Sequence, residues 1–141
     1  MIILDTNVLS ELMKVDPDPH VVAWLDRQSV KSIWITVITA FETRYGLSIL
    51  QEGRRRQALE TGYERFIREI LEGRVLLFDQ PAADAAGKLA AQRRVQGIPV
   101  EFRDILIAGI AIAQRATLAT RNIKDFEAMS QTFRLVNPWS A

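Results

Sequence analysis

With 141 residues, 48% of them hydrophobic, the chain has the size of one ordinary domain and can build a core without covalent staples. It has no cysteine and one histidine, which excludes disulfides, thiolate zinc sites, a Cys nucleophile and multi-His metal sites, and leaves almost nothing for a Ser/His/Asp triad. A net charge of +1 argues against bulk polyanion binding, but setting aside four candidate site acids leaves the remainder at +5, so an acidic pocket with a basic rim is compatible with the total.

Short β-type runs alternate with helical patterns along the chain. Ile2-Ile3-Leu4 reads as a first strand that ends at Asp5, and Val8 to Met13 and His20 to Asp26 read as two short helices, the second opened by Pro19. Ser32 to Thr36 is the second strand. Residues 39–51 follow as a helix in which Ile38, Tyr45, Gly46 and Ile49 fall in line with Glu42, predicting an apolar stripe that contains a carboxylate. Residues 54–71 form the next helix, with Leu59, Tyr63, Phe66, Ile67 and Ile70 on one face. Arg74 to Phe78 is the third strand, and Ala82 to Val95 an Ala-rich helix stopped near Gly97. Arg103 to Arg115 is a further helix, apolar from Ile105 to Ala113. Thr117 to Thr120, a turn or two at Lys124 to Met129, and a last strand at Phe133 to Val136 complete the order.

Strands separated by helices need crossovers, so the expected fold is α/β, a largely parallel sheet covered on both faces, in a single domain over residues 1–141. In such sheets ligands gather beyond the carboxyl ends of the strands, where the strand order reverses. The longest apolar run is far short of the roughly 20 residues of a bilayer span, and the N-terminus lacks a signal-peptide pattern. The expectation is a cytoplasmic protein with no membrane role.

Four acids stand at the edges of apolar elements: Asp5, Glu42, Asp104 and Asp125. Each also has a plain structural reading. Asp5 suits an Asx turn or a helix cap, Asp104 suits the N-cap of its helix, and Asp125 suits a surface or cap position. Glu42 is harder to explain in that way, since a carboxylate within an apolar stripe is costly unless paired or metal-bound. Acids gathered together repel unless a cation is present, and oxygen ligands without His or Cys favour Mg²⁺ or Mn²⁺. The runs Arg54-Arg55-Arg56 and Arg93-Arg94 fit solvated helix faces better than phosphate contacts. Trp24 and Trp34 fit the core, and His20 the surface.

Asp5-Thr6-Asn7 after an apolar strand resembles the opening motif of PIN-domain ribonucleases. Thr39-Ala40-Phe41-Glu42-Thr43-Arg44-Tyr45-Gly46 is similar to their Glu-containing helix, Asp104-Ile105-Leu106-Ile107-Ala108-Gly109 to their Asp-x-x-Ile-Ala-Ala helix, and Thr120-Arg121-Asn122-Ile123-Lys124-Asp125-Phe126 to their Thr-Arg-Asn-x-x-Asp-Phe element. The compact size and the ending Asn137-Pro138-Trp139 look most like the VapC/FitB toxins of bacterial toxin–antitoxin pairs. This resemblance implies a three-layer α/β/α sandwich with a five-stranded parallel sheet, and an endoribonuclease using Mg²⁺, with Mn²⁺ able to substitute. It implies a homodimer, an RNA substrate, an antitoxin that blocks the site, and DNA contact only through that antitoxin. Asp5, Glu42, Asp104 and Asp125 would be the catalytic and metal-binding residues, with Thr6, Asn7, Thr120 and Asn122 supporting them. The fourth position is open between Asp125 and Asn122, because some relatives place an acid where this chain has Asn122. Gly109 stands where the family often has Ala, a difference expected to matter little. The alternative function is a non-catalytic dimeric module that occupies an operator with a DNA-binding antitoxin.

Overall fold

In the computed structural model, which describes residues 1–99, 101–129 and 132–141, five parallel strands form one sheet. They are β1 (Ile2–Leu4), β2 (Ile33–Thr36), β3 (Val75–Leu76), β4 (Thr117–Ala119) and β5 (Arg134–Val136), in the spatial order β3-β2-β1-β4-β5. The helices are α1 (Thr6–Leu12), α2 (Pro19–Asp26), α3 (Val37–Ser48), α4 (Arg54–Arg65), α5 (Gln80–Val95), α6 (Phe102–Gln114) and α7 (Ile123–Glu127). The chain builds outward from β1 through β2 to β3, then returns across β1 to add β4 and β5. The strand order therefore reverses between β1 and β4, and the crevice beyond their carboxyl ends is the natural ligand position.

Alternation along the strands sends neighbouring residues to opposite faces and so produces the three expected layers. Ile3 and Leu118 join a core with Ala82 and Ala86 of α5, Ile105, Ile107 and Ala108 of α6, and Phe126 of α7. Leu4, Ile35 and Ala119 join the other core with Val8, Leu9, Val21, Trp24, Leu47 and Tyr63 from α1 to α4. Among the described residues no helix is long and apolar enough to cross a membrane.

Three expectations change. The first helix starts at Thr6 rather than Val8, because Asp5 itself is the N-cap and its side chain accepts the Thr6 N–H. The third strand keeps only two of its five expected residues, at the sheet edge, and the neighbouring Leu77 is exposed. The fourth helical pattern does extend past Arg65, but through a π-helical turn over Phe66–Ile70 in which Leu71 N–H reaches Phe66 C=O at 2.9 Å.

The stripe read on α3 is a larger correction. Thr39, Thr43 and Leu47 are its buried side, whereas Phe41, Tyr45 and Ile49 are 70%, 60% and 66% exposed. Glu42 thus lies at a border between the packed and open faces, not inside a core stripe. Phe41 and Tyr45 stack on each other at the surface, ring centroids 6.4 Å apart.

Gly109 is also more constrained than the resemblance implies. A Cβ there would stand 2.6 Å from the carbonyl oxygen of Ala82 and 2.7 Å from Ala86 Cβ, so α5 and α6 pack together through the missing side chain. Helix preference alone favours Ala over Gly by about 1 kcal/mol, but a backbone carbonyl yields only if the helices separate, and overpacking costs about 1–3 kcal/mol. Gly109→Ala should therefore melt a few degrees below the parent; an equal or higher melting temperature would refute the close-approach argument.

Candidate cation-binding site

Asp5 leaves β1 in an extended conformation, φ −69° and ψ 161°, and its carboxylate turns into the β1/β4 crevice, where the residue is fully buried. A buried carboxylate must be matched by donors, and four are present. Oδ1 accepts the Thr6 N–H at 2.8 Å and Arg103 Nη2 at 2.5 Å; Oδ2 accepts the Thr120 hydroxyl at 2.7 Å and Asn7 Nδ2 at 3.2 Å. Asp5 is thus a helix cap that also turns its carboxylate to Arg103, so capping does not keep it out of the crevice.

Thr6, Asn7 and Thr120 hydrogen-bond the Asp5 and Glu42 carboxylates. The Thr6 hydroxyl donates to Glu42 Oε1 at 2.8 Å, tying α1 to α3. Asn7 bonds across the crevice: its amide Nδ2 reaches Thr120 Oγ1 at 3.3 Å and its Oδ1 accepts the Arg121 N–H at 3.0 Å. Thr120 is fully buried and also accepts the Asn122 N–H at 3.0 Å, which sets the start of α7. Asn122 occupies the N-cap position of α7 and is exposed, with no side-chain capping bond among the described residues. Farther along the same loop, the Arg121 guanidinium lies 4.8 Å from the Trp139 ring centre, so the chain's end packs against this corner.

Asp104 is not an N-cap. Glu101 holds that position and Asp104 lies in the first turn of α6, 8% exposed, where the helix dipole favours its charge. Its pKa is nevertheless raised, chiefly by burial, with Asp125 and Asp5 adding repulsion and Arg103 opposing them. Asp125 itself is exposed in the first turn of α7 and faces Asp104 across a cleft of about 230 Å³ that Arg93, Glu101 and Lys124 also line.

What unites the acids is a residue to which the sequence reading gave no role. Arg103 places Nε 2.6 Å from Glu42 Oε2, Nη1 2.7 Å from Asp104 Oδ1 and Nη2 2.5 Å from Asp5 Oδ1. Burial is the strongest influence on its guanidinium and works against the charge, but Glu42, Asp5 and Asp104 together outweigh it and raise the pKa, so the group stays charged. The signal available was its position: a cation in the first turn of a helix opposes the dipole and needs an anionic partner elsewhere.

Three of the four predicted acids thus converge on one cation, while Asp125 stands apart across the cleft. Among the described residues no group of three or more Asp, Glu, His or Cys side chains is placed to hold a metal ion. The donor set still suits a hard divalent cation, because it is all oxygen, drawn from three separate elements, and already neutralises a positive charge. The spacing is that of a guanidinium.

Fold and site together define an α/β domain with an acidic crevice, closed on Arg103, at the reversal point of its sheet. Residues 2–131 match the PIN domain model, and the chain belongs to the PIN-domain family. It is 39% identical over 139 residues to the VapC ribonuclease Y4jK of Sinorhizobium fredii, covering 99% of this chain and 98% of that one. It is 34% identical over 139 residues to toxin FitB of Neisseria gonorrhoeae, covering 99% of both. Among solved structures it is similar to FitAB bound to the IR36 DNA fragment, with a TM-score of 0.89, 34% identity, and coverage of 99% of this chain and 96% of that one.

Proposed function

We propose that this protein is a metal-dependent endoribonuclease and the toxin of a toxin–antitoxin pair, acting in the cytoplasm. The observation that carries the reading is the convergence of Asp5, Glu42 and Asp104 on one positive charge in the β1/β4 crevice. Membership in the PIN-domain family and similarity to relatives named as a VapC ribonuclease and as toxin FitB support it.

Asp5, Glu42 and Asp104 would hold Mg²⁺ or Mn²⁺, with Asp125 contributing from across the cleft. Bound there, such an ion supplies charge neutralisation at a phosphodiester and lowers the pKa of water. The chain supplies the rest. Thr120, Asn7 and the Thr6 N–H fix the Asp5 carboxylate, and the Thr6 hydroxyl fixes Glu42, so two of the three acids are oriented by bonds to other elements before any substrate arrives. Asn122 acts through its backbone, as the donor that settles Thr120.

An antitoxin segment suits the groove between α1, α3 and α4. Met13, Leu47 and Leu59 give it apolar walls, it reaches Thr6 and Glu42, and the buried Thr43 hydroxyl has no hydrogen-bond partner among the described residues. Homodimerisation is consistent with the exposed Phe41 and Tyr45 on α3 and Ile49 at its C-cap, since apolar surface of this kind gains by being covered.

Partner-free protein should cleave single-stranded or loop RNA with Mg²⁺ or Mn²⁺ and stop when EDTA is added. Cleavage that continues in excess EDTA would overturn the metal dependence. The similarity to a FitAB complex bound to DNA favours one further reading, a non-catalytic dimeric module occupying an operator with its antitoxin. Metal-loaded protein that never cleaves RNA yet binds operator DNA with its antitoxin would establish that module instead.

A further inference from the structure

We infer that Arg103 is a built-in competitor for the divalent cation, a positioning residue whose guanidinium keeps the acids together without metal and must withdraw before an ion can bind. The inference rests on the metal-site reading above and adds a control to it. The guanidinium bonds three carboxylates from β1's exit, α3 and α6 at 2.5 to 2.7 Å and also reaches the Thr6 hydroxyl at 3.1 Å. These are the oxygens an ion would need, so the two occupancies exclude each other.

Two features make the arrangement displaceable. Three carboxylates against one guanidinium leave a residual double negative charge that attracts a divalent ion. Arg103 also sits in the first turn of α6, where the dipole opposes its charge, and its side chain is 24% exposed, so it has a path to solvent. When the competent state is only a fraction of the population, the apparent Kd is weakened by that fraction. An Arg103-in population above about nine-tenths therefore weakens metal binding about tenfold or more.

The test compares wild type, Arg103→Gln and Arg103→Lys in calorimetric titrations with Mn²⁺ alone, alongside melting curves in EDTA. Arg103→Gln should bind Mn²⁺ about tenfold or more tightly than wild type and melt lower in EDTA, because buried Asp5 loses its counter-charge. Added methylguanidinium, well below unfolding concentrations, should reverse the gain in affinity. Arg103→Lys keeps the charge but lacks the fork that spans three acids, so it should bind Mn²⁺ more tightly than wild type and less tightly than Arg103→Gln. It also decides the matter if the Gln variant fails to fold. Equal or weaker binding by folded Arg103→Gln would overturn the proposal while leaving the metal site standing. So would Arg103→Lys matching wild type, which would reduce Arg103 to a remote charge. Should Mn²⁺ bind none of the three proteins, the metal reading falls and takes this proposal with it.

Discussion

Asp5→Asn should reduce RNA cleavage by roughly a hundredfold or more, since removing mere supporting partners of metal ligands already costs about 10- to 100-fold. The amide loses the charge that would bind the ion while nearly keeping the carboxylate's shape. Some stability is lost too. Thr120 Oγ1 already accepts from Asn7 and the Asn122 N–H, and its own proton goes to Asp5 Oδ2, so an amide NH₂ in that place meets no ready acceptor. Glu42→Gln is the gentler companion, because Glu42 is only partly buried and, among the described residues, its oxygens receive just the Thr6 hydroxyl and Arg103. Both variants should lose cleavage, and Glu42→Gln should do so with a melting temperature close to wild type. Robust cleavage by either protein, shown folded by circular dichroism, would sink the proposed mechanism.

The parts of this site legible in the sequence are those fixed by local chemistry. An apolar triplet ending in Asp5 defines a strand and its exit, and strand–helix alternation implies the parallel sheet that brings Asp5 beside Thr120. The Asp5-Thr6-Asn7 and Thr120-Arg121-Asn122 segments lie at the ends of adjacent strands, so their mutual bonds follow from topology. Arg103 was not legible in this way. Its partners lie at residues 5 and 42 as well as next door, and which of many arginines reaches them depends on where α6 starts relative to α3. The α3 stripe misled for a different reason. Helical spacing identifies which residues share a face, but not which face turns inward. Here the inward side carries the buried Thr39 and Thr43, the Thr39 backbone N–H donating to the Thr36 hydroxyl, and the aromatic side is left open. Gly109 likewise looked interchangeable with Ala because a sequence carries no record of how closely the next helix approaches.

Asp104→Asn should melt at the same temperature as wild type or higher in EDTA at neutral pH. Burial, with help from Asp125 and Asp5, raises the Asp104 pKa above its ordinary value in spite of Arg103. A carboxyl with a raised folded-state pKa holds its proton to higher pH in the native than in the unfolded chain. Stability therefore falls as pH rises from the ordinary carboxylate value through the folded one, and the penalty persists above it. The Asn variant carries no such penalty, and its Oδ1 can still accept from Arg103 Nη1. The difference between the two proteins should accordingly shrink on acidification below the folded pKa. Metal should act in the opposite direction. A ligand at a hundred times its Kd adds about 2.7 kcal/mol of stability, roughly 10 °C for a chain of this size, and the variant should gain much less because one of its donors is neutral. A variant melting well below wild type in EDTA would show that the Arg103–Asp104 pair is net stabilising, and equal Mg²⁺ shifts in the two proteins would remove Asp104 from the ligand set.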